Sequence, residues 1–226
     1  MNLYLMSVFI FLIGSVLGWI MELIYRRIYH GKFVNPGFLV GPYLPIYGFG
    51  LLSLTILHKS LTSLNLHPII IILIMGVVMT LIELIGGLIL LKQKVRLWDY
   101  SSNWLNYKGI ICPLNSAIWL FLGAIYYFFL YDPLMYALNW FNENLSFSYV
   151  IGVVSGFIII DFVYSSKLYI KIGKYAKEND ITVMYEKLKM HIKDIQKDAE
   201  ERYSFVFPFK QSKKLVDYLN SYKDKK

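Results

Sequence analysis

Two glutamates stand where an apolar sequence has least reason to place them. Glu83 is the only charged residue in the stretch 68–91 and precedes Lys92 by nine positions. On a helix that is about 13 Å, well inside the hydrocarbon if the stretch crosses a bilayer. An ionised carboxylate at that depth costs about 2.5 kcal/mol or more unless it is partnered. Glu83 is therefore either a functional acid or a protonated group hydrogen-bonded to a neighbouring helix. Gly76, Thr80 and Gly87 share its helix face and keep that face small and polar. Glu22 follows Gly14 and Gly18 at steps of four residues, so all three line one face. The glycines admit a second helix and direct Glu22 into a bundle. Arg26, one turn on, offers Glu22 a plain ion pair as the alternative.

A second set of residues lies near the ends of these segments. Residues 35–50 contain Pro36, Pro42 and Pro45 together with Gly37, Gly41, Gly48 and Gly50. Proline removes a backbone donor and glycine loosens the chain, and such backbone survives at membrane depth only when buried in protein or facing a wet cavity. The reading is a polar mouth built by Asn35, Gly41, Pro42, Pro45 and Tyr47, completed by Asp99 and Asn106. The plain alternatives are that the prolines open an ordinary helix and that Asp99 caps a short helix from Tyr100. Asp161, six residues before Lys167, is expected to be a boundary acid that meets lysines. The four histidines have no metal-like spacing, and Cys112, the single cysteine, cannot form an internal disulfide. No metal or cofactor is expected.

The elements that must position these residues follow from hydropathy. The chain is 57% hydrophobic and 17% charged, too apolar for a soluble domain of 226 residues. Five membrane-spanning helices are expected, over residues 3–25, 38–57, 68–91, 110–130 and 147–166, the second with a broken or re-entrant start. Residues 1–166 form the bundle and residues 167–226 a tail with Ile181, Met184, Leu188 and Ile195 at helical spacing. The fold class is thus all-α and polytopic. Arg26, Arg27 and Lys32, and later Lys92, Lys94, Arg96 and Lys108, place their loops in the cytoplasm by the positive-inside rule, with the N-terminus outside. The tail, also cytoplasmic, holds fifteen Lys/Arg against nine Asp/Glu, a balance suited to anionic headgroups. No nucleic-acid motif competes with the lipid bilayer as partner.

The two hairpins echo each other. Glu22-Leu-Ile is repeated as Glu83-Leu-Ile, and the interval from Asn35 to Pro42 as that from Asn106 to Pro113, a parallel repeat of the kind common in transporters. Gly37-Phe-Leu-x-Gly-Pro-x-x-Pro-Ile-Tyr-Gly48, with Glu83, Trp98-Asp-Tyr-Ser101, Asn106, Gly109 and Ile111-Cys112, resembles the CmpB-like ABC-transporter permeases of type IV. The resemblance covers residues 19–119 and implies a bacterial plasma-membrane protein of permease type. The chain departs from that pattern at Pro36 and Ile110, where the family carries arginine, and at Leu97, where tryptophan is common. The sequence contains no G-x-x-x-x-G-K-[ST], so a separate P-loop ATPase would have to dock on its loops or tail. It has no G-x-S-x-G or H-E-x-x-H either, and no enzymatic activity is expected. The leading expectation is a transport-related subunit with Glu22 and Glu83 lining its polar site; self-association is allowed. The rivals are a scaffold or regulator of an envelope process and a membrane-embedded lipid-modifying enzyme.

Overall fold

The computed structural model describes residues 3–31, 33–197 and 215–223. The chain begins with α1 (Leu3–His30), α2 (Pro45–Thr62) and α3 (Pro68–Leu91). A short strand β1 (Val95–Arg96) then precedes α4 (Pro113–Ile125), which passes through a π-helical turn (Tyr126–Leu130) into α5 (Tyr131–Glu143). The long α6 (Ser148–Glu178) leads to strand β2 (Val183–Met184), α7 (Tyr185–Lys197) and α8 (Leu215–Lys223). The protein is mostly helical, with β1 and β2 pairing in parallel through Val95 and Val183, and Arg96 and Met184. Among the described residues, four helical segments are long and apolar enough to cross a membrane: Leu3–Ile28, Pro68–Leu91, Pro113–Glu143 and Leu145–Glu178. The second expected span, residues 38–57, is not among them.

Proline sets several helix starts. Pro45, Pro68 and Pro113 each occupy the first turn of their helix, where a missing N–H leaves nothing unsatisfied. Pro42 instead lies in the irregular segment before α2, so the helix begins at Pro45 rather than at residue 38. The Gly41 carbonyl accepts from the Tyr43 amide at 2.9 Å. Leu44 reaches further and donates to the Ser15 carbonyl in the middle of α1 at 2.9 Å.

Expected span four ended at residue 130, before Tyr131-Asp132-Pro133. The helix nevertheless continues to Glu143. A proline clashes with the carbonyl four residues earlier, here Phe129. The π-helical turn over Tyr126–Leu130 widens the backbone at that place and carries the helix past Pro133. Tyr126 is buried there and donates to Thr55 Oγ1 at 2.8 Å. Similarly, α6 does not stop at residue 166 but runs to Glu178. Its last turns bury Leu168, Ile172 and Ala176 with Val95, Val183, Leu188 and Ile192 in a small core that ties the tail to the chain between α3 and α4.

Close backbone approach joins α1 to α2. A Cβ at Gly18 would stand 2.2 Å from the Tyr47 ring, and one at Gly48 2.6 Å from the Phe11 carbonyl. Neither position admits any side chain without separating the helices. Gly152 and Gly156 on α6 have open space in front of them. Gly48→Val is expected to destabilise the protein by about 1–3 kcal/mol through overpacking. Gly152→Ala and Gly156→Ala should leave the unfolding temperature within a degree or two, or raise it, since alanine favours helix over glycine. Thermal unfolding of the three purified variants, followed by size-exclusion chromatography, checks the contrast.

Candidate functional site

The structure brings Glu22 and Glu83 into one polar cluster. Glu83 is only 4% exposed, and Gly76, Gly87 and Met79 on its helix are buried with it. One of its oxygens accepts from the Tyr100 hydroxyl at 2.9 Å and the other from Trp119 Nε1 at 2.8 Å. The Asn115 side chain also hydrogen-bonds this carboxyl. These donors are all neutral, and they come from the chain between α3 and α4 and from α4 itself. Glu22 accepts from the Tyr47 hydroxyl at 2.8 Å, with Arg26 at 3.4 Å from its second oxygen. The rings of Tyr47 and Trp119 lie 5.8 Å apart, which links the two acids through aromatic side chains. The charges of Glu22 and Glu83 are close enough to act on one another and on Tyr100. Burial and the neighbouring Glu83 push the Tyr100 hydroxyl well above the usual phenol range, so it stays a proton donor.

Tyr47 thus belongs to the inner cluster rather than to a mouth. Asn35 folds the first loop (residues 33–44) around itself. Its carbonyl oxygen accepts from Trp19 Nε1 at 2.6 Å, while its amide nitrogen donates to the Val40 carbonyl at 2.5 Å and to that of Leu39 at 3.3 Å. Gly41 supplies a backbone amide, Pro42 is an exposed bend residue, and Pro45 is the start of α2. Asp99 pairs with Arg96 at 2.8 Å and accepts from the Ser101 amide at 3.1 Å. Asn106 closes the second loop (residues 92–112), donating to the Asn103 and Ser101 carbonyls at 2.9 and 3.1 Å and accepting from the Gly109 amide at 2.9 Å. Asn35 is engaged by its own loop and by Trp19, and Asp99 and Asn106 within theirs; among the described residues the two sets do not bond each other.

Three contributors escaped the sequence reading. Among the described residues Asp161 meets no lysine. It accepts from the Val40 and Gly41 amides at 3.1 and 2.7 Å and from Ser165 at 2.8 Å, and it takes a further bond from the Tyr43 hydroxyl. Burial and the Asp161 carboxylate push that hydroxyl up to about 12. Lys189 of α7 is 4% exposed and donates to the carbonyls of Asn35 and, at 3.0 Å, Gly37, with its ammonium 4.9 Å from the Tyr185 ring centre. Arg26 pairs not only with Glu22 but also with Glu186 of α7. The only sequence signal for the first was the Asp161/Ser165 pair one turn apart in an apolar helix. For Lys189 there was none, and for Arg26 only its pairing with Glu22 was legible, because Glu186 and the carbonyls that Lys189 reaches lie on distant segments.

A chain whose helices suit a bilayer and which closes one carboxyl, Glu83, into their packing beside the partly exposed Glu22 is a helical membrane protein with an acidic centre. Residues 9–166 match the family described as Putative ABC-transporter type IV, and the chain belongs to that family. No curated protein and no solved structure gives a significant match.

Burial, with Arg26 nearby, lowers the Lys189 pKa to about 7, against an opposing pull from Glu186. In an unfolded chain the same amine titrates at about 10.4. Between those values the unfolded state binds the extra proton, so stability rises with pH across about 7 to 10.4 and is flat below. The difference in unfolding temperature between the wild type and Lys189→Met should therefore shift in favour of the wild type over that window. A difference that stays constant with pH would show that the amine remains charged in the folded protein.

Proposed function

We propose that this chain is a transport-related membrane subunit that lacks its own ATPase and works through the Glu22–Glu83 pair. The observation that carries the reading is Glu83 itself, a carboxyl closed into an apolar helix bundle among neutral donors and within electrostatic reach of a second acid. Two interacting carboxyls in low dielectric favour sharing a proton or a cation over both standing bare. A proton or a small cation is accordingly the species the pair is suited to hold. Tyr47 and Tyr100 would exchange hydrogen-bond partners as it comes and goes.

In this reading α2 is the fifth span. Its 18 residues cover about 27 Å, close to the hydrocarbon thickness, and the irregular first loop fills the remaining depth. A parallel repeat is supported by the acid at the end of each first helix, the asparagine-closed loop, and Gly37 and Gly109 at φ of 78° and 67°. The third residues of α2 and α4, Tyr47 and Asn115, each bond the acid of their own hairpin. The basic loops and tail would face the cytoplasm of a bacterial plasma membrane, offering a surface to a separate P-loop ATPase, and copies of the chain would associate through the lipid-facing helices. No enzymatic step is assigned. A scaffolding or regulatory role is favoured by one feature, the full set of donors on Glu83, which a purely structural acid would also have.

Glu83→Gln separates these readings. Glutamine keeps a carbonyl acceptor for Tyr100 or Trp119 but can neither ionise nor release a proton. A transport role predicts a folded variant, within about 1 kcal/mol of the wild type, that has lost function in a cell depending on the gene. Retention of full function assigns Glu83 to structure. Orientation is checked with Asn144→Cys in a Cys112→Ala background. An impermeant thiol reagent on intact cells should label position 144 and spare a cysteine placed at Lys177, and the opposite pattern inverts the topology.

A further inference from the structure

A cavity of about 450 Å³ opens where the second loop meets the tail, and neither Glu22 nor Glu83 lines it. Arg96 and Asp99 line it from the loop, Thr182, Lys187 and His191 from the tail, and Tyr222 of α8 closes one side. Its construction is specific. The parallel pairing of Arg96 with Met184 fixes the two walls relative to each other. Gly109, at φ of 67°, passes so close behind that a Cβ there would stand 2.4 Å from Arg96 Nη1 and 2.5 Å from Asp99 Oδ1. His191 Nε2 lies 2.9 Å from Ser221 Oγ, which secures α8 against α7. Tyr175 adds a second tie, donating to Asn220 at 2.6 Å.

The chemistry of the lining is that of an anion receptor. Asp99 orients the guanidinium through one N–H and is itself held by the Ser101 amide. The guanidinium carries five N–H donors in a planar fork, so its remaining donors are left for a ligand. Lys187 is exposed and has no ion-pair partner among the described residues. Arg96 and Lys187 against Asp99 leave the lining with an excess positive charge, which His191 increases when protonated. A carboxylate would engage the fork alone, whereas a tetrahedral dianion can take the fork and the ammonium together. Met184 and the Tyr222 ring add an apolar wall, and the volume falls in the range of small-molecule sites, about 300–1,000 Å³.

We infer that the cavity between the second loop and the tail binds a phosphoryl group, carried either by a small soluble ester or by a lipid headgroup. The bound group bridges Arg96 of the loop to Lys187 of α7 and so ties the tail to the chain between α3 and α4. This holds whichever way the acidic centre works and whichever side of the membrane the loop faces.

The test uses the full-length protein purified in a non-ionic detergent and titrated with inorganic pyrophosphate by calorimetry. Saturable binding is expected, weakened about tenfold or more by Lys187→Gln, the loss of one charge-assisted contact. The double variant Arg96→Gln/Asp99→Asn removes the fork without stranding its carboxylate, and should weaken binding at least as much. Lys92→Gln, outside the cavity, should leave it unchanged. Repeating the titration in nanodiscs of phosphatidylcholine, with and without phosphatidylglycerol, identifies the source. Competition by the anionic lipid indicates a headgroup, and indifference to it a soluble ester. Absence of saturable binding in detergent and in both nanodiscs overturns the inference. So does binding that neither variant weakens.

Discussion

A backbone N–H without an acceptor is most costly where water is scarce, and the first loop brings several such groups into the bundle. Its path from Asn35 to Leu44 is not helical, yet Asn35, Leu39, Tyr43 and Leu44 are all buried. Several backbone groups of that path are met by groups on the helices around it. The amides of Val40 and Gly41 go to Asp161 on α6, that of Leu44 to the Ser15 carbonyl on α1, and the carbonyls of Asn35 and Gly37 to Lys189 on α7. Three helices are in this way fastened to one irregular stretch. Because α2 starts where the stretch ends, the position of Tyr47, and through it the hydrogen bond to Glu22, is inherited from the loop.

The second hairpin solves the same problem more locally. Asn106 and Asp99 close their loop largely from within, and Trp98 donates to the Ile110 carbonyl at 2.9 Å. Tyr100, inside that loop, is carried down to Glu83. Each acid is thus served by a side chain whose placement depends on how its own loop is folded. Arg26 adds a direct tie between the acidic centre and the tail, since it pairs with Glu22 on one side and Glu186 on the other. Loop conformation and tail docking are consequently coupled to the hydrogen bonding of the two carboxyls.

Much of this was legible where the controlling interactions are local. Residues 68–91 read as a helix and form one with those bounds, because an uninterrupted apolar run opened by proline has few alternatives. The Gly14/Gly18 face predicted a close helix partner, and α2 packs there. Glu83 was singled out by the cost of burying charge and Glu22 by its glycine face, and the Tyr47 and Trp119 rings stand between them. What stayed hidden depends on distant segments or on backbone detail. Asp161 finds its amides some 120 residues away, and Lys189 its carbonyls more than 150 away. Tyr131-Asp132-Pro133 reads as a terminator because periodicity carries no sign of a π-helical turn that absorbs the clash. Likewise the apolar pattern of 147–166 weakens before the helix does, since the remaining turns of α6 are held by the small core around Ile172.

The length of α6 has a mechanical meaning. Its 31 residues extend about 46 Å, against a hydrocarbon core of about 30 Å, so roughly a third of the helix projects beyond the bilayer. The apolar part is exposed over most of its circumference, whereas the last turns of the helix are built into the core shared with α7 and β1. A helix of this kind answers thickness mismatch by tilting. Since Asp161 and Ser165 lie near the junction of the two parts, any such tilt acts as a lever. The helix bears the anchor of the first loop at one point and the docked tail at another.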